Sequence, residues 1–265
     1  MISNREVKIS LSALASPFYP VMVSPVAAMV LSGYLKKVFK NAIDIVVHYS
    51  QVEPIYKIVE AINRERPDII GFSLQAGSEE QIDEAMRGVM SVVSTWQAQP
   101  LIVFGNVLAT FAAKILLEKY PEILMVIGEG EYALEGIVKK VLAGKNDFAT
   151  IPNLIYKVKG KIVETNRCVF DLNKISMLSF DYVKEVSKRQ GHIWIESSRG
   201  CSFRCTFCSR YSVRMSKWSP IAPNKVIEEI AQLHAKFGVN HFRFTDDDFM
   251  GTGSADGVFH AEEIA

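Results

Sequence analysis

Two hydrophobic periods alternate along residues 7–142. Short apolar runs at Val7–Leu11, Ile43–Val47, Asp68–Leu74, Pro100–Gly105 and Leu124–Gly128 predict strands. Between them, helical patterns cover 26–38, 54–65, 78–93, 110–119 and 130–142. Asp68-Ile-Ile-Gly-Phe-Ser73 and Leu101-Ile-Val-Phe-Gly105 are nearly all apolar, as strands covered by helices on both faces are. In Tyr132–Leu142, the residues Leu134, Ile137, Val138 and Val141 share one helical face. Repeated strand–helix alternation predicts an α/β fold with a doubly wound parallel sheet.

The pattern then changes. Leu154–Val158 and Lys161–Glu164 flank Lys159-Gly160, which reads as a hairpin turn. Residues 166–190 show no strong period and read as a linker. His192–Glu196 reads as a strand running into a polar loop. Ala222–Phe237 reads as an amphipathic helix, with Pro223 near its start, Gly238 at its end, and Val226, Ile227, Ile230 and Leu233 on one face. His241–Thr245 is a further strand. The expected organisation is a doubly wound domain over 1–150, a hairpin and linker over 151–190, and a second α/β unit over 191–265.

Composition narrows the function classes. The chain has 265 residues, 49% hydrophobic and 22% charged, which is ordinary for a globular protein. Thirty basic and 29 acidic residues give a net charge of +1, so no nucleic-acid partner is expected. Residues 9–35 carry no charge, a length that can span a bilayer, and Arg5 and Lys8 precede Leu11–Ser16 as in a signal peptide. Pro17, Pro20 and Pro25 interrupt the run, which favours a buried strand, a loop and a buried helix, with no membrane partner.

Four Cys are too few for a disulfide scaffold. Three of them, Cys201, Cys205 and Cys208, stand at C-x₃-C-x₂-C spacing in Arg199-Gly-Cys-Ser-Phe-Arg-Cys-Thr-Phe-Cys208. Three thiolates so close can hold a [4Fe–4S] cluster and leave one iron without a protein ligand. A zinc site is the alternative, with Cys168 or His192 as the fourth ligand; unrelated buried thiols are another. Cys168 reads as a structural thiol.

The cysteine loop resembles the signature of the radical S-adenosylmethionine (SAM) enzymes, with Phe207 at the aromatic position before the last Cys. In that family the open iron chelates the amino and carboxylate groups of SAM, and one electron cleaves it to methionine and a 5′-deoxyadenosyl radical. The resemblance places Phe207 beside the adenine. Phe242-Arg-Phe-Thr-Asp-Asp-Asp-Phe249 is similar to the family's second strand, which places Asp246 or Asp247 at the SAM amino group, Asp247 slightly preferred.

Open parallel sheets bind ligands at the carboxyl ends of their strands. Those ends here are Ser73-Leu-Gln-Ala-Gly77, Gly105-Asn-Val-Leu-Ala-Thr110 and Gly128-Glu-Gly-Glu131. Small residues there let a ligand approach the backbone. Their order, followed by a hairpin, a linker and the cysteine loop, resembles the cobalamin-binding radical SAM enzymes. That implies a flavodoxin-like domain of the cobalamin-binding type, followed by the start of a radical SAM (β/α) partial barrel. It also implies that Ser73, Gly105, Asn106, Thr110, Gly128, Glu129 and Gly130 line a cobalamin site. The family's Gly-Gly pair is Gly105-Asn106 here, and Asn106 can adopt the left-handed conformation the turn needs. The D-x-H-x-x-G motif is absent, so no His ligand to cobalt is expected; His48 reads as an ordinary strand-end residue.

The resemblance implies three cofactors: a [4Fe–4S] cluster, SAM and cobalamin. The leading expectation is a radical SAM enzyme that transfers a methyl group, by way of methylcobalamin, to an unactivated carbon. A ring-forming cyclase or oxidoreductase is the alternative within the class. A non-catalytic corrinoid- and cluster-binding fragment or partner subunit is a second class, and a zinc-stabilised binding module a third. Residues 209–265 hold about two βα units of roughly 30 residues each, so the chain reads as the N-terminal part of a longer enzyme. The expected partners are a small-molecule or peptide-derived substrate and an electron donor such as flavodoxin or ferredoxin. An oxygen-labile cluster suits the cytoplasm.

Overall fold

The computed structural model describes residues 6–17, 25–175, 177–209 and 218–265. A seven-stranded sheet dominates the first part. Its strands are β1 (Val7–Leu14), β2 (Ile43–Tyr49), β3 (Ile69–Leu74), β4 (Leu101–Gly105), β5 (Leu124–Val126), β6 (Leu154–Val158) and β7 (Lys161–Glu164). They lie in the order β2-β1-β3-β4-β5-β6-β7. The first five run parallel, with register Leu11↔Gly71 between β1 and β3 and Ser73↔Gly105 between β3 and β4.

The connecting helices are α1 (Val26–Phe39), α2 (Ile55–Glu65), α3 (Glu79–Val93), α4 (Asn106–Lys119) and α5 (Glu131–Leu142). Each buries the apolar stripe its sequence carries. In α2 the stripe is Ile55, Ile58, Ala61 and Ile62; in α3 it is Ile82, Ala85, Met86, Val89 and Val93. Two cores result. One lies between the sheet and α2, α3 and α4; the other between the sheet and α1 and α5. Because β3 and β4 contribute side chains to both cores, their sequences alternate little. The doubly wound arrangement is as the hydrophobic pattern predicts. The expected loop between β1 and α1 falls largely on 18–24, outside the described residues. No helix among the described residues is long and apolar enough to cross a membrane.

Two features extend the expectation. The hairpin around Lys159-Gly160 forms, with φ of 49° and 76° at the two turn residues, as a tight primed turn requires. It also joins the sheet: β6 pairs antiparallel with β5 through Met125↔Ile155 and Val126↔Leu154. The sheet therefore continues past residue 150. Within the expected linker, Val183–Gln190 forms a helix, α6, that buries Val183 and Val186. Eight residues with two inward positions are too few to declare a period, which is why the sequence reads as irregular there.

The second unit starts with β8 (Ile193–Ile195) and the short β9 (Ser198–Arg199), which pairs with β10 (Ser219–Pro220). Helix α7 (Pro223–Phe237) follows, then β11 (Phe242–Phe244), which lies parallel to β8, and α8 (Ala255–Ile264). This is a strand–helix–strand crossover. Pro223 opens α7, and Gly238 closes it in the left-handed region. Val226 and Leu233 are buried, but Ile227 is 45% exposed, so the inward face of α7 is narrower than its sequence suggests. Ile193, Ile195, Val226 and Leu233 share one core with α1 and α5, so the second unit packs on that side of the sheet.

Candidate functional site

The carboxyl ends of β3, β4 and β5 face the polar loop after β8 across one cavity. It surrounds and opens onto about 1190 Å³ of empty space. All seven residues expected at a cobalamin site line it: Ser73, Gly105, Asn106, Thr110, Gly128, Glu129 and Gly130. Glu196, Ser198, Arg199, Gly200, Thr245 and Asp247 line the opposite wall. Leu11, Ala28, Leu31, Val103 and Val126 supply its apolar surface.

The β4–α4 turn is held by its own side chains. Asn106 stands at φ 76°, the left-handed conformation anticipated for it. Its Nδ2 donates to Ser73 Oγ at 2.9 Å, and its Oδ1 accepts from the Val107 N–H at 2.7 Å. Thr110 Oγ1 donates to the Asn106 carbonyl at 2.8 Å and accepts from the Gly128 N–H at 3.0 Å. One threonine thus ties the β4 turn to the β5 turn.

The cavity suits a large group with both apolar and polar surface. Among the described residues, a Cβ at Gly105 would meet only Val126, at 3.8 Å, an ordinary contact. Gly130 is backed by Leu31 at 3.4 Å. Small residues and aliphatic side chains line it together with Ser, Thr, Glu, Arg and Asp side chains. A corrinoid is large and has both kinds of surface, so the residues present fit it.

The second wall is more strongly charged. Arg199 Nη1 lies 2.6 Å from Glu131 Oε1 and 3.4 Å from Glu129 Oε1, while Nη2 lies 2.8 Å from Glu196 Oε2. Its side chain is only 15% exposed. Burial disfavours the charged guanidinium, but Glu131, Glu196 and Glu129 outweigh it and hold the pKa well above its ordinary value. Glu129 is further fixed, because its Oε2 accepts from the Phe170 N–H at 2.6 Å.

The two candidate aspartates separate. Asp246 points inward: its Oδ1 accepts from the N–H groups of Ser197 and Ser198 at 2.8 and 3.0 Å, and Ser197 Oγ donates to its Oδ2. Burial raises its pKa against the lowering effect of these bonds. Asp246 is spent on shaping the turn after β8, whereas Asp247 lines the cavity. Ser197 Oγ also lies 3.2 Å from Nε2 of buried His260.

Gly200 leads into the cysteines at φ 84°, a conformation that a residue with a Cβ adopts at a cost. Cys201 is half-buried, Cys205 and Cys208 are exposed, and all three are free thiols. The Cys208 N–H donates to the Cys205 carbonyl at 3.0 Å. Among the described residues no three His, Cys, Asp or Glu side chains are gathered as a metal set, whether Cys168 and His192 are counted or not. The donor chemistry of three accessible thiols within one short loop fits an iron–sulfur cluster. Phe207 is 91% exposed and stands outside the cavity. His48 is buried at the end of edge strand β2, where its Nδ1 lies 3.1 Å from Glu53.

Sequence reasoning did not assign roles to Arg199, Glu131 and Glu196. The signal was present in part: Arg199 immediately precedes Gly200-Cys201, and Glu131 closes Gly128-Glu-Gly-Glu131. Pairing them needs the fold, because Arg199 and Glu131 are 68 residues apart.

Two family models match the chain. Residues 20–138 match the B12 binding domain, and residues 195–264 match the radical SAM superfamily. The chain is 27% identical over 243 residues to 4′-phospho-dehydrooxetanocin synthase of Priestia megaterium, covering 88% of this chain and 32% of that protein. It is 27% identical to an uncharacterized methyltransferase of Pyrococcus horikoshii, covering 72% and 42%. It is 28% identical to the anaerobic magnesium-protoporphyrin IX monomethyl ester cyclase of Cereibacter sphaeroides, covering 82% and 36%. The cobalamin-dependent SAM radical enzyme OxsB, solved with aqua-cobalamin and SAM bound, has the same fold. Its TM-score is 0.89 at 24% identity, over 98% of this chain and 37% of that one. The chain therefore spans well under half the length of these relatives. The two domains indicate cobalamin, SAM and a [4Fe–4S] cluster as cofactors.

Proposed function

The chain belongs to the cobalamin-binding radical SAM enzymes, and we propose that it forms the cofactor-holding part of one that transfers a methyl group to an unactivated carbon. The cavity carries this reading: residues expected from a corrinoid site and residues of the radical SAM loop line the same space. When bound, the cluster and SAM supply a 5′-deoxyadenosyl radical, and the corrinoid supplies the methyl group.

The chain's own residues have these roles. Cys201, Cys205 and Cys208 ligate the cluster. Asp247, on the cavity wall, accepts from the SAM amino group, and Phe207 offers its ring to the adenine. Gly105 and Gly130 leave the slot open for the corrinoid. Asn106 and Thr110 brace the two turns that form its edge. The apolar wall keeps water from the centre, where a carbon radical must survive. The substrate is a small molecule or peptide-derived compound. The reductant is a protein such as flavodoxin or ferredoxin, in the cytoplasm.

Methyl transfer is supported by the corrinoid site and by the relative named a methyltransferase. Ring formation is the second reading, favoured by the relative named a cyclase. The test is anaerobic purification, reconstitution with iron, sulfide and hydroxocobalamin, and absorption and EPR spectra with and without SAM. A reducible [4Fe–4S] signal perturbed by SAM, with stoichiometric corrinoid, is the expected result. Alanine at Cys201, Cys205 or Cys208 should abolish the signal. Iron retained at normal stoichiometry in those variants would remove the cluster assignment. Zinc in place of iron and sulfide would make the protein a binding module.

A further inference from the structure

We infer that Arg199 is a positioning residue that locks the loop entering Cys201 onto the corrinoid-side turn Gly128–Glu131. The inference rests on the cofactor assignment above and deepens it. Arg199 lies in β9, directly before Gly200 and Cys201, and its backbone is held by pairing with Ser219 in β10. Its guanidinium reaches Glu131 and Glu129, at the start of α5 and just before it. Glu196, at the end of β8, grips the same guanidinium from the side of its own loop.

The charge balance makes this clamp matter. Three carboxylates surround one guanidinium, and Glu131 is only 3% exposed. Removing the cation leaves buried anions facing one another, which is strongly unfavourable. The turn and the loop would be driven apart at the point where the cavity passes from one wall to the other. Lysine at this position would keep the charge but lose the planar fork that reaches several carboxylates at once.

The protein reading both sides of the clamp is the full chain, with Arg199→Gln and Arg199→Lys. Cobalamin affinity is measured on cluster-free protein by absorption titration. The SAM-induced change in the EPR spectrum is measured on reconstituted protein. R199Q should weaken cobalamin binding about tenfold or more and diminish the SAM-induced change, with iron content unaltered. R199K should show both changes at smaller size, and Glu131→Gln in the R199Q background should restore part of the affinity by removing one uncompensated charge. A folded R199Q with wild-type cobalamin affinity, or one altered only on the cluster side, overturns the coupling. If R199Q does not fold, R199K decides, and wild-type behaviour in both measurements overturns the inference. Wild-type protein that takes up neither cofactor defeats the parent reading, and this inference with it.

Discussion

The side-chain amide of Asn106 donates to the hydroxyl of Ser73 at 2.9 Å, joining the carboxyl ends of two neighbouring parallel strands. The bond exists because Asn106 occupies φ 76°, where an asparagine is tolerated and a β-branched residue is not. Asn106→Val should cost on the order of 1–2 kcal/mol from backbone strain alone. Thermal unfolding should show a fall of several degrees, while Asn106→Gly, which keeps the conformation, stays closer to wild type. Equal melting of the two variants would mean that the turn has another conformation.

Gly105 offers a cleaner test of the cavity. Alanine there would place its Cβ 3.8 Å from Val126, an ordinary contact, and should leave stability nearly unchanged. Gly105→Phe should fill the slot and reduce cobalamin affinity sharply without lowering the melting temperature. Titration of both variants with hydroxocobalamin checks this, and undiminished binding by the Phe variant moves the corrinoid elsewhere.

The adjacent aspartates should behave oppositely. Asp246 satisfies two backbone N–H groups at the turn after β8, so Asp246→Ala should cost about 2 kcal/mol or more through stranded donors. Asp247→Ala should cost less stability than Asp246→Ala and lose SAM affinity, read as a weaker SAM-induced EPR change. Reversal of the two phenotypes would exchange their roles.

Glu229 predicts a pH dependence of stability. It lies beside the linker on α7, and burial, aided by the charge of Glu196, raises its pKa from 4.5 to about 7 against the bond it accepts from the Leu178 N–H. In the folded state it therefore keeps a proton that the unfolded chain has released. Stability should decline as pH rises from 4.5 to about 7 and level off above that interval. Glu229→Gln, which keeps an acceptor for Leu178, should flatten this part of the profile. Denaturation across the interval, with and without the substitution, measures it; an identical slope in both proteins assigns the effect to other groups.

The sequence by itself determined the fold class and the cofactor chemistry. Alternating periods specify buried strands and one-sided helices because burial has a different repeat in each. The spacing of Cys201, Cys205 and Cys208 is a local property, as is the readiness of Asn106 for a left-handed turn. The order of the strand-end segments picked out seven residues, expected at a corrinoid site, that line one cavity.

Tertiary structure decided what depends on contacts between distant segments. The identical neighbours Asp246 and Asp247 part company only because Ser197 and Ser198 turn back over one of them. The hairpin joins the sheet because β5 leaves an open edge for it. Helix α6 forms because Val183 and Val186 find a core to enter, a reward invisible to its own eight residues. Arg199 meets Glu129 and Glu131 across 70 and 68 residues of chain. Local pattern encodes which surface each segment must bury; it does not encode which charges the folded chain brings face to face.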